Sequence, residues 1–362
     1  MDRAEPGRFD GILSLDDTRR MVCTTGIRMP AVRLVKEGEQ IPAERYTEDI
    51  PWRPGSFSKT AAVEKVAREF ELGASIVLQG LHLNWHPAAL YCRHLEAALG
   101  CPVQANAYYT PGSAQGFSVH HDTHDVLILQ VAGEKRWRVY EPLLELPLKD
   151  QRWSPKLGDP GEPWAEISFK AGDTLYLPRG WPHEAATSDE SSLHLTIGLH
   201  PHTRLDALRT ALGGLGDDVE VRRSVSADGE LPEALLEGLA ERLSPEEVAR
   251  RMRRRFVSTR RPIRDGQLEQ VEGLARLTID RELERRPTVI AELEVGDAGA
   301  ALLFEGKEIA FPPQASAAVA HMCTTDAPFT AAELPGSLDE PGRLVLVRRL
   351  VREGFVRALP EA

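Results

Sequence analysis

Cysteine is scarce in this chain: four in 362 residues, Cys23, Cys92, Cys101 and Cys323, with no C-x-x-C pair among them. That spacing excludes a zinc ribbon, and four thiols are too few for a disulfide-built scaffold of this length. Positive charge is in deficit too. Lys and Arg number 44 against 55 Asp and Glu, a formal net charge of −11. A chain whose main task is to grip a polyanion would carry the opposite balance. Long hydrophobic runs are missing: no stretch approaches the roughly 18 apolar residues of a membrane span, and the opening MDRAEPGRFDG has no apolar signal core. The expectation is a cytoplasmic protein with no membrane partner. Internal repeats and low-complexity tracts are lacking as well.

What is present is an ordinary globular composition, 42% hydrophobic, in a length that suggests two or three domains. Residues 1–55 are mixed and Pro-rich, without strong periodicity. Residues 56–200 hold the strand signals. Within them, SKTAAVEKVAREFELG predicts an amphipathic helix carrying Ala62, Val63, Val66 and Phe70 and closed by Gly73. HPAALYCRHLEAALG predicts another, with Pro87 in its first turn, Leu90, Leu95 and Leu99 on its apolar side and Gly100 at its end. Then VQANAYYT, VLILQV, KRWRVY, AEISF, DTLYLP and LHLTIG follow, short, β-branched or aromatic, and separated by turns such as Ala132-Gly133-Glu134 and Ala171-Gly172-Asp173. Many short strands imply a sandwich or barrel, and a double-stranded β-helix, or jelly roll, is the leading candidate.

Residues 201–261 are helical and charged. SPEEVARRMRRRF predicts a helix with Ser244 as N-cap, Pro245 at N1 and Glu247 completing a capping box. Seven arginines lie between Arg250 and Arg261, either a solvated face or a contact surface for an acidic partner or subunit. In 262–362, DGQLEQVEGLARLTIDREL reads as a helix, AALLFEGKEIAF as a hairpin about Glu305-Gly306-Lys307, and GRLVLVRRLVREGFVRAL as a helix ending in a strand, which together suggest a winged-helix-like module. That region holds eleven Lys and Arg against seventeen Asp and Glu, so direct DNA binding is not expected.

The densest chemistry lies in SVHHDTHDVLILQVAGEKRWRVY. In an extended segment alternate side chains share a face, so His120, Asp122 and His124 point one way and His121 and Thr123 the other. An H-x-D pair offers an imidazole and a carboxylate to one metal. GDTLYLPRGWPHEA supplies a third donor: a Gly172-Asp173 turn, a strand over Thr174–Leu177, and a Pro178-Arg179-Gly180 bend presenting His183. Two histidines and one carboxylate on one octahedral face leave three positions open, which suits non-haem Fe(II). A four-ligand structural zinc site would leave none.

The stretches NAYYTPGSAQGFSVHHD, DVLILQVAGEKRWRVY and GDTLYLPRGWPHEA resemble the JmjC/cupin-4 oxygenases, in particular the ribosomal-protein hydroxylases of bacteria and eukaryotes. The resemblance is dense over 106–199, looser over 1–105, and over 201–362 rests on layout. It implies a mainly β catalytic domain over 1–200 with an N-terminal extension, a helical dimerisation region over 201–261 and a winged-helix-like α+β domain over 262–362. It implies Fe(II) held by His120, Asp122 and His183, 2-oxoglutarate as cosubstrate with O2, and Lys135 pairing the distal carboxylate of 2-oxoglutarate. Asn106, Tyr108, Thr196 and His194 would line the same pocket. His124 stays open between touching substrate and bonding a ligand, and Trp181 between walling the entrance and packing. The implied activity is hydroxylation of an Arg or His side chain of a ribosomal protein by a homodimeric enzyme. The same chemistry on a peptide natural-product precursor or a small molecule is the alternative, and a binding module with a vestigial metal site is a third. The intact His120, Asp122, His183 and Lys135 set counts against the third.

Overall fold

Alternation decides the architecture around the site. In Val103–Thr110, the side chains of Val103, Ala105, Ala107 and Tyr109 enter a hydrophobic cluster, while those of Gln104, Asn106, Tyr108 and Thr110 line a cavity. The computed structural model describes residues 5–53, 56–225, 227–238 and 244–360; residues 1–4 of the opening stretch and 226 and 239–243 of the charged helical stretch lie outside them. The chain divides into two units, Met1–Pro201 and His202–Ala362.

In the first unit the strands are β1 (Val32–Lys36), β2 (Glu39–Gln40), β3 (Thr47–Arg53), β4 (Ser56–Ala61), β5 (Ser75–Leu78), β6 (Val103–Thr110), β7 (Asp125–Ala132), β8 (Glu134–Val139), β9 (Ala165–Lys170), β10 (Thr174–Leu177), β11 (His183–Thr187) and β12 (Ser192–Leu199). A seven-stranded sheet runs β10-β7-β12-β6-β5-β1-β2, and a three-stranded sheet β11-β8-β9. Every pairing in both is antiparallel. Val126, Ile128, Leu175 and Leu177 of the large sheet pack on Trp137, Val139 and Phe169 of the small one, so the two sheets face each other as the jelly roll expected. The outer face of the large sheet packs on helices α1 (Leu15–Thr24), α2 (Val63–Glu71) and α4 (His86–Leu99), with the short α3 (Leu81–Asn84) between the last two.

Local expectations are corrected at several places. The predicted helix from Ser58 begins only at Val63, because Ser56–Ala61 pairs with β3 as a hairpin, and the cross-strand partner wins over helical propensity. In α4 the buried face is Ala88, Cys92, Arg93 and Glu96, and Leu99 is 52% exposed. Glu96 is drawn inward because it accepts from Arg93 and from the Val103 backbone N–H, and buried charges need such partners. Pro-rich 1–55, which shows no periodicity, supplies α1 and β1–β3. Ser244 caps the helix Pro245–Ser258, accepting from the Glu247 N–H, but the Glu247 carboxylate turns to Arg250 and Arg251, so the reciprocal half of the capping box does not form.

The second unit carries a meander, β14 (Ala291–Gly296), β15 (Gly299–Phe304) and β16 (Lys307–Phe311), and a sheet of β13 (Glu282–Arg285) between β17 (Phe329–Thr330) and β18 (Val356–Ala358). The predicted long helix from Gln267 ends at Gly273 and is followed by a 3-10 turn, after which Glu282 enters β13. Helices Pro313–Thr324 and Glu340–Glu353 complete the core. The arginine run is largely absorbed at home: Arg250 reaches Glu294 at 2.9 Å, Arg254 reaches Glu308 at 3.0 Å and Glu294 at 3.3 Å, and Arg253 reaches Glu292 at 3.7 Å. Among the described residues no helix is long and apolar enough to cross a membrane.

The β7–β8 hairpin turns at Gly133, with φ +68° and a virtual Cβ 2.2 Å from the Ser191 carbonyl oxygen. Gly133→Ala is expected to destabilise the protein by ~2 kcal/mol or more, read as a lowered urea midpoint. An unchanged midpoint would show that the hairpin relaxes freely.

Candidate metal centre

Two backbone hydrogen bonds join the segments that carry the histidines. The His183 N–H donates to the His120 carbonyl at 2.8 Å, and the His120 N–H returns to His183 at 3.2 Å. The bend before β11 adds two more: the Gly180 N–H donates to the Asp122 carbonyl at 3.0 Å, and the Arg179 N–H to Asp125 Oδ1 at 2.9 Å. Gly180 has φ +91°, and a Cβ there would sit 2.6 Å from the Leu144 carbonyl oxygen, so glycine fits the bend on both counts.

This frame gathers His120, Asp122 and His183, with one ligand atom from each lying within 4.8 Å of the others. His183 Nε2 is 3.9 Å from Asp122 Oδ2. The Nδ1 of His120 lies 2.8 Å from the Ser118 carbonyl, and that of His183 lies 3.0 Å from the Trp181 carbonyl. A carbonyl only accepts, so each Nδ1 carries the hydrogen and each Nε2 presents a lone pair. Burial, with His120 close by, pushes the His183 imidazole down to about 4, so it is neutral at neutral pH, as a ligand must be. Among the described residues no fourth donor joins this group. It faces a cavity of about 870 Å³. Two imidazoles and a carboxylate with open positions fit Fe(II) better than closed structural zinc.

The H-x-D segment is not itself a strand. It meets β11 at a single bridge, His120 to His183, and β7 begins at Asp125. The expected facing holds all the same. His120, Asp122 and His124 line the cavity, while His121 turns away, its Nε2 3.1 Å from the Gln151 carbonyl. His124 stacks on His200 with centroids 4.6 Å apart, over Gly198, where a Cβ would come within 2.8 Å of its ring. Trp181 is not among the lining residues. It packs on Trp164, centroids 5.2 Å apart, and its carbonyl orients His183.

Lys135, Asn106, Tyr108, Thr196 and His194 line the same cavity. Register explains four of them: His194 lies opposite Tyr108 and Thr196 opposite Asn106 across β12 and β6. The Tyr108 ring stacks on His194 at 4.9 Å and 4°. Burial, then the Asp122 carboxylate, pushes the Tyr108 hydroxyl up, while the nearby Arg33 guanidinium and the Thr196 side chain work the other way. Burial, then Lys135, holds the His194 imidazole well below its usual range. Asn106 is partly committed, its Oδ1 accepting from the Gly80 N–H at 2.9 Å. Lys135 is 3% exposed, donates to Thr110 Oγ1 at 2.9 Å, and is pushed down to about 7 by burial. Arg33, Gln79, His82, Phe117 and Glu184 also line the cavity and were not anticipated. One signal existed for Arg33: it sits between Val32 and Leu34 in VRLVK, in the phase opposite the core residues.

A model of the JmjC domain matches residues 81–207. The bifunctional lysine-specific demethylase and histidyl-hydroxylase NO66 of Drosophila persimilis is 31% identical over 276 residues, 74% of this chain and 37% of that protein. Ribosomal oxygenase 1 of Gallus gallus is 35% identical over 242 residues, 63% of this chain and 38% of that one. The chain thus spans well under half the length of these curated relatives. The ribosomal oxygenase YcfD from Escherichia coli, solved in complex with cobalt and 2-oxoglutarate, superposes with a TM-score of 0.55 over 95% of this chain and 90% of that one at 20% identity, a likeness of fold.

Lys135 gives a prediction with a definite sign. Its folded value of about 7 lies below the ordinary lysine value of 10.5, so between pH 7 and 10.5 the unfolded chain binds the extra proton and stability rises with pH. Below pH 7 the buried charge costs its full amount. Lys135→Met is therefore expected to be more stable than wild type by ~2 kcal/mol or more near pH 6.5, with the gap closing toward pH 10 in urea titrations. A gap independent of pH would mean that Lys135 stays charged in the folded chain.

Proposed function

The chain belongs to the JmjC domain family through residues 81–207, and on that premise we propose that it is an Fe(II)- and 2-oxoglutarate-dependent dioxygenase that hydroxylates a side chain of a ribosomal protein in the cytoplasm. The observation that carries the reading is the His120, Asp122, His183 face opening on a cavity that also holds a buried lysine without a carboxylate partner among the described residues. His120 Nε2, Asp122 and His183 Nε2 would hold the iron. Iron so held supplies activation of O2 coupled to oxidative decarboxylation of 2-oxoglutarate to succinate and CO2.

Lys135 would pair with the distal carboxylate of 2-oxoglutarate, with the Thr110 hydroxyl beside it. An ammonium poised near pH 7 becomes fully charged when a dianion arrives, and the pair is then charge-assisted. Tyr108 and Trp137, with His194 between them, form the aromatic wall that keeps water from that pair.

The cavity's charge favours histidine over arginine as the target. Arg33 and Lys135 line it, and its two carboxylates are Asp122, committed to the metal, and Glu184. Glu184 already accepts from Gln115 at 2.9 Å and from the Tyr140 hydroxyl at 2.8 Å. With Lys135 taken up by 2-oxoglutarate, a guanidinium would still enter beside Arg33 with no free protein carboxylate to meet it, whereas a neutral imidazole meets no such repulsion. The name of the Drosophila persimilis relative, a histidyl-hydroxylase, agrees. We assign 201–261 to homodimerisation and 262–362 to a winged-helix-like module without DNA contact; Leu208 and Leu212, 56% and 51% exposed on the helix Arg204–Gly213, are the apolar surface such a dimer would cover. Light scattering should then find a wild-type dimer and a monomer in Leu208→Glu/Leu212→Glu; a monomeric wild type removes the assignment.

His120→Ala and Asp122→Ala are expected to abolish succinate production and the visible band that Fe(II) and 2-oxoglutarate give together under anaerobic titration. Lys135→Met should raise the KM for 2-oxoglutarate about tenfold or more. Mass spectrometry of ribosomal proteins from cells with and without the gene should find one histidine that loses an added oxygen. A mark on arginine would overturn the charge argument, and no lost mark would turn the reading toward a peptide or small-molecule target.

A further inference from the structure

One cavity cation keeps a donor in reserve. Arg33 lies in a row across the large sheet with Val77, Tyr108 and His194, each opposite the next on paired strands, so its side chain shares the cavity face. Its guanidinium sits over the Phe117 ring, 5.2 Å from the centroid. Phe117 in turn meets Tyr108 edge-on at 5.7 Å and leans on His120 at 5.6 Å. The Arg33 guanidinium lies near enough to the Tyr108 hydroxyl to favour its ionised form. The fork is thus placed by its face contact with Phe117, and its Nε–H is buried without a hydrogen-bond partner. Buried donors of this kind are rarely left unmet, and an unmet one costs more than a made bond gains. A guanidinium held at a cavity wall with one N–H spare is a reader of acceptors.

Which acceptor follows from its surroundings. Lys135 and Thr110 already form a carboxylate anchor, and a single ring separates Arg33 from the metal ligand His120. The acceptor nearest a hydroxylated side-chain carbon of a polypeptide is the carbonyl of its own residue or of the one before it. We propose that Arg33 is a specificity-determining residue whose free Nε–H takes a backbone carbonyl oxygen of the substrate polypeptide beside the residue to be hydroxylated. The site then accepts that residue as part of an amide chain and discriminates against the bare side chain. The assignment rests on the hydroxylase reading above. A lysine cannot substitute, because an ammonium has neither the flat face that lies on Phe117 nor the spare N–H in that direction.

The test uses the full chain with total ribosomal protein as substrate and compares wild type, Arg33→Met and Arg33→Lys. Both variants should raise the KM for ribosomal protein about tenfold, as expected for one lost charge-assisted hydrogen bond, with kcat within about threefold. An unchanged KM overturns the assignment. A matching loss of 2-oxoglutarate affinity overturns it too, by placing Arg33 at the cosubstrate. A second measurement does not depend on which protein is modified. In protein labelled with 15N-arginine and loaded with Zn(II) and N-oxalylglycine, N-acetyl-histidine N-methylamide should shift the Nε–H resonance that Arg33→Lys deletes. 4-Methylimidazole, which has no carbonyl, should leave it in place. A resonance unmoved by the capped residue, or moved equally by both, sinks the proposal. A wild type that marks no ribosomal protein but shows the selective shift sinks only the choice of substrate.

Discussion

The site depends on a reciprocal pair of backbone hydrogen bonds between His120 and His183. His120 lies just ahead of a strand of the large sheet and His183 opens a strand of the small one, so this bridge is where the two layers are pinned together at the metal face. Two such bonds contribute on the order of 1 kcal/mol each, too little to hold two sheets. The holding is done by Val126, Ile128, Trp137 and Phe169 packed between them. The bridge sets register, and register decides which atoms converge. A slip by one residue would turn His120 and Asp122 outward together and His121 inward, leaving His183 with no carboxylate beside it.

Beside that apolar cluster, the part of the sandwich interior that lines the cavity is polar, which is a poor choice for stability alone. The outer face of the large sheet is a conventional core of Leu34, Ile76, Leu78, Leu193, Leu195 and Ile197. On the inner face stand Lys135, His194 with a buried Nδ1 lacking a partner, and Arg33 with its spare Nε–H. Each of these is a desolvation cost that an apolar residue would avoid. Such costs are offset when a ligand satisfies the groups, because any molecule bound by the folded chain and not the unfolded one adds to stability by mass action. On the proposed reading these groups are a negative image of what the cavity would take: an anion at Lys135 and an acceptor at Arg33.

Much of this was legible in the sequence. The metal triad follows from residue types and spacing that chemistry constrains tightly, whereas Lys135 was indicated by the family resemblance. The strands 103–110, 125–132 and 192–199 follow from period-two alternation. The helical errors have a common cause, long-range pairing overriding local preference: Ser56–Ala61 became a strand because β3 pairs with it, and Glu96 turned inward because Arg93 and Val103 gave it partners. His183 read as a bend rather than the start of β11 because HEAAT carries no apolar alternation and is a strand only through β8. Arg33 was missed for a related reason. A charged residue in a short strand of a mixed region looks solvated until its neighbours across the sheet are known.

Arginine shows how little residue type says by itself. Arg250 and Arg254, in a run that invites a search for an acidic partner, are answered by Glu294 and Glu308 of their own unit. Exposed pairs of this sort add little to stability, but they remove the surplus charge on which an external contact would depend. Arg33 is one of four described arginines, with Arg179, Arg286 and Arg348, whose Nε–H is buried without a partner, and it is the one of these that lines the cavity. The informative quantity is the number of donors an arginine has left after folding, measured against how deeply they are buried. By that measure the conspicuous basic helix is chemically quiet, while an inconspicuous residue of the first sheet strand keeps a buried donor at the cavity.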